Sequence, residues 1–125
     1  MLQRLLVLAA GAPLALAWFA LGARREEEGR PKRVELPGPT SDGVFFHDEL
    51  IVVRRAGEIH ALSAKCPHLG CRIGMVVGAS LLCPCHGSSF DEAGRRLGGP
   101  ATSDLKRLAV EPGSRAETIS VVLSG

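Results

Sequence analysis

Two short stretches of the chain carry residues able to do chemistry. One reads Cys66-Pro67-His68-Leu69-Gly70-Cys71, and the other Cys83-Pro84-Cys85-His86-Gly87-Ser88-Ser89-Phe90-Asp91, with eleven residues between them. All 4 cysteines and two of the 4 histidines fall here. Thiolate and imidazole side chains a few residues apart, beside Pro and Gly, suit two loops that point at one metal centre. Zinc and iron–sulfur clusters both take such donors. A closed structural zinc site uses four ligands, often from Cys-x-x-Cys knuckles, and neither half has that knuckle. A 2Fe–2S cluster with two cysteines on one iron and two histidines on the other also uses four. It leaves one cysteine per half, and two such cysteines can bond if their Cα atoms come within about 7 Å. The cluster reading accounts for all six residues; the zinc reading leaves two idle.

The motif pair Cys-x-His-Leu-Gly-Cys and Cys-Pro-Cys-His-Gly-Ser-x-aromatic-Asp resembles the Rieske iron–sulfur proteins, specifically the membrane-bound quinol-oxidising type. The resemblance covers residues 44–110. It implies a 2Fe–2S cluster with Cys66 and Cys83 on the buried iron, His68 and His86 on the outer one, and a Cys71–Cys85 disulfide tying the loops together. It implies that Ser88 donates a hydrogen bond to a bridging sulfide and that His86 is the catalytic contact to quinol. It also implies that the Gly-Pro-Ala segment within residues 97–101 covers the cluster, although by itself that segment reads as an ordinary turn. Leu69 is expected to shield the cluster from water. Rieske ferredoxins and dioxygenase domains are similar but usually lack the second cysteine pair.

Charge arithmetic says what such a centre is for. A ferric pair with two sulfides and four thiolates carries about −2, and replacing two thiolates by neutral imidazoles brings it to about 0. A neutral centre accepts an electron more readily, and hydrogen bonds to sulfur raise the potential further. High-potential members of the family carry Tyr where this chain has Phe90, and the chain has no Tyr. The expected potential is therefore below that of the Tyr-containing members.

The remaining elements must position these loops. A chain of 125 residues allows one domain. A net charge of +2, with no basic patch interleaved with aromatics, gives no reason to expect nucleic acid. Residues 5–23 carry no charge and as a helix would span nearly the roughly 30 Å of a bilayer core. Residues 1–23 are read as a single-pass membrane anchor. A cleaved signal peptide stays open, because Ala15-Leu16-Ala17 resembles a small-x-small site and Pro13 interrupts the run. Arg24, Arg25, Arg30, Lys32 and Arg33 follow the run and only Arg4 precedes it, which by the positive-inside rule favours a cytoplasmic cluster domain. A disulfide and the family resemblance favour the periplasmic side, and that is the reading adopted.

Residues 24–43, charged and then rich in Pro and Gly, read as a linker, with the cluster domain at residues 44–125. Strand-like runs fall at residues 44–47, 50–54, 59–63, 105–110 and 118–123, with a turn at residues 55–58. Leu81 and Leu82 lead into the second loop, and Phe90 starts a further strand or turn. His47 and His60 lie outside the ligand spacing and read as strand or surface residues. Asp91, Glu92 and Asp104 read as turn residues rather than a catalytic pair. The fold class expected is all-β: a small antiparallel domain with two cluster-binding loops at its tip, preceded by one N-terminal helix.

The function expected is one-electron transfer as the redox subunit of a membrane quinol:cytochrome c oxidoreductase, not an enzyme alone. Its partners would be quinol, cytochrome b, and a c-type cytochrome or another redox subunit. Two other readings remain: the small subunit of a periplasmic molybdenum oxidase of the arsenite oxidase type, and a ferredoxin-like carrier feeding an oxygenase.

Overall fold

The computed structural model describes residues 16–19 and 31–123. Residues 16–19 are helical; the rest of the segment read as an anchor lies outside the described residues. Among the described residues no helix is long and apolar enough to cross a membrane. The chain divides into two units, Met1–Pro31 and Lys32–Gly125, and the second carries ten strands.

Those strands are β1 Lys32–Pro37, β2 Gly43–Phe46, β3 Leu50–Arg55, β4 Glu58–Ser63, β5 Met75–Val77, β6 Ser80–Leu82, β7 Ser89–Phe90, β8 Arg96–Gly98, β9 Arg107–Pro112 and β10 Thr118–Leu123. They form two antiparallel sheets. The larger runs β1-β10-β9-β4-β3-β2 and the smaller β5-β6-β7-β8. The all-β expectation holds for this unit.

The linker expected over residues 24–43 is interrupted by β1, which pairs with β10 from Lys32 opposite Leu123 to Pro37 opposite Thr118. The folded unit therefore starts at Lys32 and not at residue 44. Val34 and Leu36 alternate with exposed polar neighbours and pack onto the core. That two-residue period is the strand signal, but the charges and the adjacent Pro and Gly residues mask it. Pro37, which cannot donate to a ladder, sits at the end of an edge strand, where it does no harm.

Strand β3 explains the core. Its first four residues, Leu50, Ile51, Val52 and Val53, are all buried. A strand alternates its side chains between faces, so a continuous apolar run must be covered on both. Leu50 and Val52 pack with Ala61, Leu108, Ile119 and Val121 inside the larger sheet. Ile51 and Val53 pack with Leu62 of β4 and with Ile73, Leu81, Phe90 and Leu105, of which the last four belong to the smaller sheet and its connections. The smaller sheet thus rests on the outer face of β3 and β4.

The turn expected at residues 55–58 joins β3 to β4. Ala56 and Gly57 both have positive φ, +51° and +85°, the backbone of the tight turn whose twist matches a hairpin. The Ala56 N–H donates to Asp42 at 2.9 Å. Strands β5 and β8 were not expected, being three residues each. Strand β9 starts at Arg107 rather than at residue 105, because the Leu105 N–H donates to Gly94 instead of joining the ladder.

Candidate metal centre

The two loops share one backbone plan. In the first, the Cys66 N–H donates to the Cys71 carbonyl at 2.8 Å, and the Gly70 N–H returns to the Cys66 carbonyl at 2.9 Å. In the second, the Cys83 N–H donates to the Ser88 carbonyl at 2.8 Å, and the Gly87 N–H returns to the Cys83 carbonyl at 3.1 Å. Each loop is thus closed from its first cysteine to the residue five positions on, with Gly in the left-handed region one position before the end. This plan singles out Cys66 and Cys83 as equivalent positions among the four cysteines.

Burial sorts the side chains. Cys66 and Cys83 are free thiols, 1% and 2% exposed, within the apolar cluster around Ile73 and Phe90. His68 is half-buried and His86 exposed. Their ring centroids lie 5.0 Å apart, edge to face. Burial pushes the Cys66 thiol up from its ordinary pKa and the adjacent Cys83 thiol pushes it further, while the His68 N–H and the Ser88 hydroxyl at its sulfur pull it back. The arrangement sets two thiols inside and two imidazoles outside.

Cys71 and Cys85 form a disulfide with a Cα–Cα distance of 6.5 Å, the pairing expected. It ties the end of the first loop to the middle of the second. The sulfurs of Cys71, Cys83 and Cys85 lie within 4.8 Å of one another. That trio is not a ligand set, because two of its sulfurs are bonded to each other. The donors left are Cys66, Cys83, His68 and His86. Their chemistry fits a histidine-ligated 2Fe–2S cluster: two soft donors without access to water, and two imidazoles at the surface.

Ser88 is fully buried at 0% exposure. Its Oγ accepts the Ala101 N–H at 3.0 Å. Accepting there leaves the hydroxyl proton to point elsewhere, and the same hydroxyl is one of the groups that lower the pKa of the Cys66 thiol. The segment around Gly99, Pro100 and Ala101 therefore packs on the second loop. Gly99 makes this possible: at φ +84°, a Cβ would stand 2.4 Å from Ser88 Cα and 2.9 Å from the Gly87 carbonyl oxygen. The segment expected over the cluster thus rests on the second loop, with the Ala101 N–H bonded to Ser88, a contact that the sequence did not reveal. Leu69, expected as a shield, is 71% exposed at the tip of the first loop.

The remaining polar residues hold the frame. His60 Nε2 meets the Glu92 carbonyl at 2.7 Å, and His47 is half-buried at the end of β2. Asp91 accepts both the Arg95 N–H and its Nε at 2.8 Å. Glu92 pairs with Arg55, and Asp104 accepts the Arg96 N–H at 2.7 Å. The turn reading of Asp91, Glu92 and Asp104 agrees with these contacts.

Residues 18–109 match the family model described as the Rieske [2Fe-2S] domain. The chain belongs to the Rieske family. The cytochrome b6-f complex iron-sulfur subunit of Chlorobaculum thiosulfatiphilum is 35% identical over 95 residues, covering 74% of this chain and 50% of that protein. The chain thus spans about half the length of this curated relative. Among solved structures, the plasma membrane Rieske protein PetC3 of Synechocystis PCC 6803 is 27% identical, with a TM-score of 0.50, over 82% of this chain and 93% of that one. Naphthalene 1,2-dioxygenase aligns at a TM-score of 0.60 and 18% identity, over 77% of this chain and 27% of that one. That likeness is one of fold alone. This Rieske domain carries a Rieske-type 2Fe–2S cluster.

Proposed function

We propose that this protein is a one-electron carrier, the Rieske subunit of a membrane quinol:cytochrome c oxidoreductase, with Cys66, Cys83, His68 and His86 as the cluster ligands. The observation that carries this reading is the sorting of those four side chains by two loops of one plan, thiols inside and imidazoles outside. When bound, the cluster supplies one-electron redox chemistry near neutral net charge. The chain's own residues do the rest. The apolar cluster around Ile73, Leu81 and Phe90 keeps water from the thiols. Ser88 directs its proton to the sulfur side. His86, the exposed imidazole, is the group that contacts quinol by a hydrogen bond, and the electron then goes to a cytochrome.

The Cys71–Cys85 bridge supports the quinol branch over the oxygenase-carrier branch, since it suits an oxidising compartment. The similarity to a cytochrome b6-f complex subunit supports a cytochrome b and a c-type cytochrome as partners, over a molybdenum oxidase. Residues 1–23 are proposed to anchor the domain in the cell membrane, with the cluster on the periplasmic side.

The test is EPR and a redox titration on the reduced full chain carrying ¹⁵N-histidine. A rhombic 2Fe–2S signal coupled to two histidine nitrogens, with a positive midpoint, is expected. Bound zinc would refute the ligand assignment, and a negative midpoint would favour the oxygenase carrier. Protease treatment of spheroplasts should digest the cluster domain; protection there would place it on the cytoplasmic side.

A further inference from the structure

The sulfurs of Cys71, Cys83 and Cys85 lie within 4.8 Å of one another. Two of them form the bridge, and Cys83 is a free thiol. A thiol beside a disulfide can exchange with it, and no external oxidant is needed because one S–S bond breaks as another forms. We propose that, in the chain without its cluster, Cys83 exchanges into the disulfide and Cys85 is released. The Cys83 sulfur bonds to the Cys71 sulfur, the Cys71–Cys85 bond breaks, and the proton of Cys83 ends on Cys85. One disulfide and two free thiols stand on each side of the step.

Several features of the loops select this direction. Cys85 is exposed, so it leaves as a solvated thiol, whereas Cys71 is half-buried. Attack on Cys85 instead would close a small ring around Pro84, whose φ is fixed. A Cys71–Cys83 bridge still ties the two loops and closes a loop only two residues shorter than the present sequence separation of 14. The backbone of Cys83 is held at both its N–H and its carbonyl. The sulfur therefore swings by side-chain rotation alone.

The consequence is a safeguard with a cost. With Cys83 engaged as a ligand, the exchange has no attacking thiol and the Cys71–Cys85 pairing persists. With the site vacated, the exchanged chain loses one of its two buried sulfur donors and gains an exposed thiol at Cys85. Cluster uptake must then precede closure of the bridge, or wait for a reductant to undo the exchange. This inference rests on the assignment of Cys83 as a ligand.

The experiment uses the full chain. The cluster is removed with a chelator under anaerobic conditions without added thiol. Free thiols are then capped with N-ethylmaleimide, and the digest is mapped without reduction, with tandem fragmentation to separate Cys83 from Cys85. The cap is expected on Cys66 and Cys85 in most apo chains, with Cys71 bonded to Cys83. Before removal, the bridge should be Cys71–Cys85 only. Caps on Cys66 and Cys83, with the original bridge intact, would overturn the proposal. A Cys83→Ser chain should leave Cys85 uncapped; a cap on Cys85 there would also overturn it, since the bridge would be opening without Cys83. A Cys83→Ser chain that still binds a normal histidine-ligated cluster would instead refute the ligand assignment and leave the exchange result standing.

Discussion

Ser88 shows how much one buried hydroxyl controls. It accepts the Ala101 N–H, and its hydroxyl helps to lower the pKa of the Cys66 thiol, which makes it the proposed donor on the sulfur side. Truncation in Ser88→Ala should act twice. The buried Ala101 N–H loses its partner, which costs about 1–3 kcal/mol of stability. The sulfur loses a donor to a group that grows more negative on reduction; a charged hydrogen bond of about 1.5 kcal/mol corresponds to roughly 60 mV for one electron. Thermal unfolding and a redox titration of the variant should show both losses together. A normal midpoint would mean that the hydroxyl does not serve the cluster. Phe90 tests the converse. It is fully buried beside the two thiols. Phe90→Tyr should raise the midpoint by supplying a donor there, and an unchanged or lower value in the same titration would count against that role.

At the level of elements, the new feature is β1. Glu35 in β1 accepts the Ser114 hydroxyl at 2.7 Å, the Ser114 N–H at 2.9 Å and the Thr118 hydroxyl at 2.7 Å. These bonds, led by the Ser114 hydroxyl, hold its carboxyl below the usual carboxylate range. A carboxylate whose pKa is depressed on folding adds stability above its unfolded value, about 4.3, and loses it as pH falls through the lower folded value. The tie between β1 and the β9–β10 turn should therefore be intact at neutral pH and weaken below about pH 4. Hydrogen exchange should show the β1 amides speeding up in that range relative to β3 and β4. Glu35→Gln should remove the difference. Equal protection of β1 at pH 3 and pH 7 in the unmodified chain would rule this latch out.

For the molecule as a whole, stability and the metal site are joined by the bridge. The smaller sheet has strands of only two or three residues, and its loops hang from β4 and β6. Such a subdomain depends on cross-links more than on its own core. A disulfide closing about 15 residues contributes roughly 3 kcal/mol in the chain-entropy model. The double change Cys71→Ala with Cys85→Ala should cost about that much in denaturant unfolding. It should also speed loss of the 2Fe–2S absorbance in chelator, because the loops are then free to part and admit water. A cluster that persists as long as in the parent chain would show that the two loops hold together without the bridge.

Much of this protein is written locally. The candidate donors are legible because metal ligation demands particular side-chain types at short spacings, and such spacings survive whatever surrounds them. The long strands β2, β3, β4 and β10 are legible because runs such as Leu50 to Val53 carry their own apolar pattern. Other features belong to tertiary contact alone. Strand β1 exists because β10 offers an edge to Val34 and Leu36, although charges and prolines surround them. The three-residue strands β5 and β8 exist only as partners of β6 and β7. The cover over Ser88 depends on the space that Gly99 leaves, which no spacing rule contains. The chain by itself determined which side chains are candidates to hold iron. Folding decided which thiols are buried and which imidazoles face outward, because burial is a property of what lies opposite a residue and not of the residue itself.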